Sequence, residues 1–171
     1  MISTAFRLLA ATALSAFLMG GCATPASQKL LVEPGRGSGD LGLVIEREAG
    51  SIGVLDTTAR TRLGTIAGLG DLSHASVVFS RDGALAYVFG RDGALTKANL
   101  LTGQIEGRVM QAGNSIGGAI STDGTLVVAQ NYQPGGIKVF DARTLALLAD
   151  VPALVDRKAS RVVGLDDIPR N

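Results

Sequence analysis

Short apolar runs separated by turn residues fill the chain from residue 41 onward. The runs are rich in Val, Ile and Leu and are bounded by Gly, Asp, Asn or Pro, which is typical of β-strands and tight turns. No window after the first 22 residues has the periodicity of an amphipathic helix. The pattern predicts an all-β protein whose strands fall into groups of three, four, four and one: Leu41–Arg47, Ser51–Asp56 and Thr61–Ile66; Ala75–Ser80, Ala84–Gly90, Leu95–Asn99 and Ile105–Gln111; Gly118–Ser121, Leu126–Asn131, Gly136–Asp141 and Ala146–Val151; and Arg161–Leu165.

Two motifs recur at a nearly constant spacing along these strands. Ser80-Arg81-Asp82-Gly83 returns 41 residues later as Ser121-Thr122-Asp123-Gly124, and a second motif begins at Val54, Lys97 and Val139, at spacings of 43 and 42 residues. A repeat of about 40–45 residues that holds four short strands is typical of a β-propeller blade. Twelve strands make about three blades, whereas propellers usually close with four to eight. We therefore expect part of a ring, or a ring that several chains complete.

The first 22 residues resemble a bacterial lipoprotein leader. Arg7 precedes an apolar stretch, Leu8–Met19, which is too short to span a membrane, and small residues lead to Cys22. One interpretation is a lipobox in which Cys22 is acylated and anchors the protein to a membrane; the other is ordinary cleavage near Gly21 that leaves a free thiol. We predict the lipoprotein, with a signal peptide at 1–21, a flexible tether at 22–39, a partial propeller at 40–165 and a divergent tail at 166–171.

Composition excludes several classes of function. Sixteen basic and fifteen acidic residues give no positive field that would attract nucleic acid. One histidine and one cysteine are too few for an ordinary zinc site. The segment Gly113–Gly117 matches the Gly-x-Ser-x-Gly pattern of hydrolases, but a strand follows it and no histidine follows residue 74. We expect the glycines of Asn114–Gly118 to form turns, or to let a ligand approach the backbone.

The one histidine, His74, suits a metal whose other ligands are not protein atoms. An iron tetrapyrrole brings four nitrogens and needs only an axial ligand from the protein. His74 lies in a loop that leads into the first strand of a blade, and in propellers that strand lines the central channel. The alternative is a turn histidine that is hydrogen-bonded to Asp71 or Ser73.

Two arginines add a possible anion site. Arg47 and Arg91 are 44 residues apart and occupy the same register at the end of the second strand of the four-strand repeat, where the third copy has Gln130-Asn131-Tyr132. Equivalent positions of successive blades project around one rim, and guanidinium groups suit the carboxylates of a tetrapyrrole edge. The alternative is local ion pairing with Glu46, Glu48 and Asp92.

Longer segments of the chain resemble a known family. The segments are Arg36–Arg47, Gly70–Gly83, Val88–Gly93, Gly113–Ser121 and Asn131–Gly136. They resemble the NirF family of heme d1 biosynthesis proteins, which is related to the eight-bladed d1 propeller of cytochrome cd1 nitrite reductase. The resemblance covers about residues 36–165, and family members are more than twice as long as this chain.

The resemblance implies a function and a site. It implies a periplasmic, often lipid-anchored protein that binds heme d1 or its iron-tetrapyrrole precursor, with cytochrome cd1 nitrite reductase and other d1-assembly proteins as partners. Precursor binding and delivery, or dehydrogenation of a precursor side chain, would both fit. His74 matches the proximal iron ligand of the reductase, and Arg47 and Arg91 match arginines near the d1 carboxylates; Asn114, Ser115, Asn131 and Tyr132 are further candidate pocket residues. A propeller scaffold that binds proteins and no cofactor is the alternative.

Overall fold

Every regular element in residues 35–162 and 164, the part of the chain that the computed structural model describes, is a β-strand. The thirteen strands are β1 (Leu41–Glu46), β2 (Ser51–Asp56), β3 (Thr61–Ala67), β4 (Ser76–Phe79), β5 (Leu85–Phe89), β6 (Ala94–Asn99), β7 (Gln104–Met110), β8 (Asn114–Ile120), β9 (Leu126–Gln133), β10 (Ile137–Asp141), β11 (Leu147–Val151), β12 (Leu154–Val155) and β13 (Lys158–Ala159).

The strands form antiparallel sheets in which each strand pairs with its neighbour in sequence. The orders are β1-β2-β3, β4-β5-β6-β7 and β8-β9-β10-β11, and β12 and β13 form a separate small hairpin. We call the three larger sheets blades 1, 2 and 3. The predicted grouping of three, four and four strands is confirmed, and so is the all-β propeller-blade fold.

Blade 2 is covered on both faces because successive residues of a strand point to opposite sides of the sheet. In β5, Ala86 and Val88 belong to a buried cluster with Ile52 and Val54 of blade 1. The intervening Tyr87 and Phe89 belong to a second cluster. Its members from blade 3 are Ile120, Val127, Ala129, Phe140, Ala142 and Leu145. The central blade therefore needs apolar residues at consecutive positions, which explains the continuous apolar runs in its sequence.

The Ser-x-Asp-Gly motif forms the turn between the first two strands of a blade. In blade 3, Ser121 Oγ donates to Asp123 Oδ1 (2.6 Å) and accepts from Leu126 N (2.9 Å), while Thr125 N donates to the same carboxylate at 3.0 Å. Gly124 adopts φ +74°, as Gly83 does at +69° in blade 2, a conformation that glycine adopts without strain. The repeated Ser-x-Asp-Gly motif thus forms a turn that its own side chains stabilise.

The third residue of the second repeated motif caps the turn that follows it, between β2 and β3, between β6 and β7, and between β10 and β11. Asp56 Oδ1 accepts from Ala59 N (2.6 Å), Asn99 Oδ1 from Thr102 N (3.0 Å) and Asp141 Oδ1 from Thr144 N (2.7 Å). Each turn ends with a residue in the left-handed region, namely Arg60 (φ 57°), Gly103 (72°) and Leu145 (59°). The short polar residue repeats because each turn needs an acceptor at this point.

Two predicted strands differ from the structure. The strand expected at Gly118–Ser121 begins at Asn114, so the expectation of turns at Asn114–Gly118 is wrong. A Cβ on Gly118 would lie 1.9 Å from the Val128 carbonyl oxygen and 2.5 Å from the Phe89 ring, so this glycine is there for close packing. The strand expected at Arg161–Leu165 is also wrong, because Arg161 and Val162 are not in a strand. The chain forms the hairpin β12–β13 before this point and then follows the end of blade 3.

The expected leader, the lipidation site Cys22 and the tail at 166–171 lie outside the described residues. In the part of the chain that is described, no helix has the length and apolar character needed to cross a membrane.

Candidate functional site

The loops that carry His74, Arg47 and Arg91 meet at one end of the blades. β4 and β5 are antiparallel and Ser76 pairs with Phe89, so the loop before β4 and the turn after β5 lie at the same end. Arg91 N donates to the Asp71 carbonyl (2.9 Å), which ties these two segments together. We call this end the His74 rim; it comprises residues 47–50, 68–75, 90–93, 111–113 and 132–136.

His74 lies in a turn two residues before β4, and its side chain is exposed. The alternative of a surface or turn histidine is therefore right about its place in the fold. The hydrogen bond to Asp71 or Ser73 that it included is absent, since the imidazole has no partner within residues 35–162 and 164. Asp71 Oδ1 instead accepts from Ser73 N at 2.9 Å. Hydrogen bonds from Ser73, with a smaller contribution from the Arg91 charge, lower the pKa of Asp71 and keep it ionised. The imidazole is therefore available to a ligand.

Arg47 and Arg91 are equivalent in register, as the sequence predicts. Glu46 pairs with Ser51 across β1 and β2, and Gly90 N bonds to Ala94 O at the same point of blade 2. Each arginine follows that point directly, and both side chains are exposed. Arg47 and Arg91 therefore lie at equivalent positions of blades 1 and 2, both in the His74 rim.

Two of the acidic neighbours of these arginines, Glu46 and Asp92, are paired with other arginines. Glu46 binds Arg62 at 2.7 Å, and Asp92 binds Arg108 at 2.6 Å. Hydrogen bonds from Ser51 and Arg62 lower the pKa of Glu46, so it is fully ionised within that pair.

Among the described residues, neither Arg47 nor Arg91 has a carboxylate within 4 Å. The expected alternative of local ion pairs is therefore wrong, and both guanidinium groups are available to an anion.

Tyr132 holds the equivalent position in blade 3. It follows Asn131, whose N bonds to Gly136 O as Gly90 N bonds to Ala94 O. Its half-buried ring carries the guanidinium of Arg161, whose Cζ lies 5.3 Å from the ring centroid. Arg161 could not be predicted as a site residue, because no sequence signal brings residues 29 positions apart together across an unpredicted hairpin.

Three other candidate residues support the rim from below. Asn131 is 1% exposed and exchanges hydrogen bonds with Gln111. Ser115 is 0% exposed, and its Oγ donates to the Gln130 carbonyl (2.9 Å). Asn114 is half-buried, and no described group hydrogen-bonds its buried Oδ1. Of the three, only Asn114 has a side-chain oxygen with no hydrogen bond to a described group.

Ser115 is not a hydrolase nucleophile in this fold. A nucleophile elbow places its serine on a sharp turn between a strand and a helix. Ser115 instead lies inside β8, and its hydroxyl is engaged by a main-chain carbonyl. The match to the motif is coincidental, as the sequence analysis proposes.

The fold and this rim define a β-propeller protein built from consecutive blades, with histidine and arginines on one set of loops. The chain belongs to the cytochrome D1 heme domain family, whose sequence profile matches residues 36–171.

Two curated relatives support this assignment. The chain is 58% identical to protein NirF of Pseudomonas aeruginosa over 156 residues, which cover 89% of this chain and 38% of that protein. It is 56% identical to protein NirF of Stutzerimonas stutzeri over 140 residues, covering 80% of this chain and 36% of that protein. The resemblance seen in the sequence is thereby confirmed, and the chain spans well under half the length of these relatives.

Solved structures share the fold. The dihydro-heme d1 dehydrogenase NirN in complex with DHE has a TM-score of 0.68 and 30% identity, over 75% of this chain and 28% of that chain. Hydrazine synthase of Kuenenia stuttgartiensis has a TM-score of 0.59 and 15% identity, over 80% of this chain and 41% of that chain. The second similarity is one of fold alone.

Proposed function

We propose that this chain binds a d1-type iron tetrapyrrole as a step in heme d1 biosynthesis. The observation that carries the proposal is the pair Arg47 and Arg91, two exposed guanidinium groups at equivalent positions of adjacent blades. Their neighbours Glu46 and Asp92 are paired with other arginines. Free guanidinium groups at repeated positions match a ligand with carboxylates along its edge. The family and its NirF relatives support the same ligand class.

The residues present fit such a ligand. His74 offers an imidazole with no described hydrogen-bond partner, which suits it to be the axial ligand of the iron. Arg47 and Arg91 would bind carboxylates at the ligand edge, and the unpaired Oδ1 of Asn114 would accept a hydrogen bond. Ser115 and Asn131 would support the blade 3 part of the rim through their bonds to Gln130 and Gln111, and Tyr132 would line the ligand site.

Binding is tested by titrating the purified full chain with heme d1 and recording the absorbance spectrum. We expect a spectral shift that the His74→Ala variant loses and that Arg47→Ala and Arg91→Ala weaken by about tenfold each, as for a lost charge-assisted contact. Arg143→Ala is the matched control, because Arg143 is an exposed arginine in the turn between β10 and β11, at the opposite end of the blades.

A folded chain with no shift at any heme d1 concentration would overturn the proposal and favour the alternative of a protein-binding scaffold. Circular dichroism of each variant verifies that the β-structure is retained.

The role in biosynthesis that we propose is binding of a late precursor and its delivery to cytochrome cd1 nitrite reductase or to another assembly protein. Transfer of the ligand from the loaded chain to the ligand-free reductase, followed by the reductase spectrum, tests this step. Dehydrogenation is the enzymatic alternative. Conversion of bound dihydro-heme d1 to heme d1 in the presence of an added electron acceptor would favour it over delivery.

We propose that this binding takes place in the periplasm, on a protein anchored through acylated Cys22. Expression in a Gram-negative host with radiolabelled palmitate tests the anchor. We expect the wild-type chain to incorporate the label and to appear in the membrane fraction. The Cys22→Ala variant should do neither. A labelled Cys22→Ala chain, or an unlabelled wild type, would contradict the anchor.

A further inference from the structure

We infer that Arg161, which lies against Tyr132 of the His74 rim, is a third carboxylate-binding residue. This inference rests on the proposed function and extends it, because it sets how many acidic groups the ligand presents. Blades 1 and 2 each contribute one exposed arginine at the equivalent position, Arg47 and Arg91. Blade 3 has Tyr132 there, and Arg161 places its guanidinium over that ring at 5.3 Å. A guanidinium group is thus present at the third position, although the repeat itself has tyrosine there and not arginine.

Main-chain hydrogen bonds hold the segment around Arg161 against blade 3. Gly136 N donates to the Ser160 carbonyl (3.1 Å) on one side of Arg161, and Val162 N donates to the Asn131 carbonyl (3.4 Å) on the other. A Cβ on Gly135 would lie 2.1 Å from the Ser160 oxygen, so this close approach requires glycine. The position of Arg161 therefore follows from backbone contacts on both sides of it.

The Arg161 guanidinium is free to bind an anion. No described carboxylate lies within salt-bridge distance of it, and its side chain is exposed. The contact with the Tyr132 ring is an attraction between the charge and the ring, and it leaves N–H donors of the guanidinium available. A planar fork held this way suits a bidentate carboxylate.

Three guanidinium groups on successive blades predict a ligand class. Because Arg47, Arg91 and Arg161 belong to three successive repeats, a ligand that binds all three guanidinium groups at once needs a carboxylate for each of them. The arrangement fits a macrocycle that carries at least three carboxylates on different edges. It disfavours a monocarboxylic ligand.

The test compares heme d1 with its methyl ester, which lacks free carboxylates, on the full chain. We expect Arg161→Ala to bind heme d1 about tenfold more weakly than the wild type, and to bind the methyl ester as the wild type does. Arg161→Lys keeps the charge but loses the planar fork, so its affinity for heme d1 should lie between the two. Arg143→Ala should match the wild type with both ligands.

Two outcomes separate this inference from the proposed function. If the wild type binds heme d1 and Arg161→Ala binds it equally well, or loses affinity for both ligands alike, Arg161 does not bind a carboxylate and the proposed function stands. If the wild type binds neither form, the proposed function and this inference are both overturned.

Discussion

Gln111 and Asn131 face each other through two hydrogen bonds of 2.9 Å, in which each side-chain amide both donates and accepts. Gln111 directly follows β7 of blade 2, and Asn131 lies in β9 of blade 3. Both are buried, at 6% and 1% exposure. The reciprocal pair joins Gln111, in the His74 rim loop that leaves blade 2, to the second strand of blade 3. It fixes the register between the blades from which the rim is built.

The first prediction concerns this amide pair. Asn131→Ala leaves the Gln111 amide buried without a partner, so we expect the free energy of unfolding to fall by about 2–4 kcal/mol. Urea denaturation followed by circular dichroism measures the change. Gln133→Ala, an exposed position in the same strand, should change stability by less than about 0.5 kcal/mol. Equal stability of Asn131→Ala and the wild type would show that the pair contributes nothing.

The second prediction concerns the close approach of β8 to its neighbours. Gly118→Ala places a methyl group against the Val128 carbonyl and the Phe89 ring, where no space exists for it. We expect a loss of at least about 2 kcal/mol in the free energy of unfolding, as for other overpacked sites. Gly37→Ala is the matched control, because a Cβ there has no neighbour within 4 Å and its φ is unstrained. The idea fails if both variants unfold at the same urea concentration.

The third prediction concerns the acid stability of the repeated turn. Hydrogen bonds from Ser121 and from Thr125 lower the pKa of Asp123 to about 2, below its ordinary value of 3.8. A group with a lowered folded pKa stabilises the fold above its unfolded pKa, and this contribution is lost as the pH falls through the folded pKa. Asp123→Asn should therefore lower stability at pH 7, while the difference from wild type shrinks between pH 4 and pH 2. Urea denaturation at pH 7, 4 and 2 measures it; a difference that is constant with pH would contradict the assignment.

The fourth prediction concerns a strained turn in blade 1. Arg60 adopts φ 57°, where blade 2 has Gly103. A left-handed conformation costs a non-glycine residue about 1–2 kcal/mol. Glycine avoids this cost, but it lowers stability by about 0.4–1 kcal/mol because it gives the unfolded chain more conformational freedom. Arg60→Gly should therefore raise the free energy of unfolding by about 0.5–1 kcal/mol. Arg60→Ala keeps the strain and should show no such gain. A stabilised alanine variant would mean that the arginine side chain, not the backbone, is unfavourable.

Much of the fold could be predicted from the sequence because its signals are local. The turn at Ser121–Gly124 is held by its own side chains, and the capping residues Asp56, Asn99 and Asp141 bond to amides two or three residues away. Such motifs have the same residue types wherever the same turn recurs. The strand grouping and the equivalence of Arg47 and Arg91 follow from them.

The start of β8 was predicted wrongly for a non-local reason. Gly117 and Gly118 look like turn residues in the sequence. In the structure they lie in a strand, because Val128 and Phe89 leave no room for a side chain at Gly118. Val128 belongs to the next strand and Phe89 to another blade, so the lack of room at Gly118 depends on residues that are distant from it in the chain.

The sequence alone determined the strands, their grouping into blades and the position of His74, Arg47 and Arg91 at one end of them, because periodicity and turn chemistry act over a few residues. Only the tertiary structure decided which side chains are free at that end. Arg62 forms an ion pair with Glu46, and Arg108 forms one with Asp92. Gln111 hydrogen-bonds the side-chain amide of Asn131, and Arg161 contacts the ring of Tyr132. These contacts join positions 16–29 residues apart, and their formation depends on how the chain folds back, which no local pattern records.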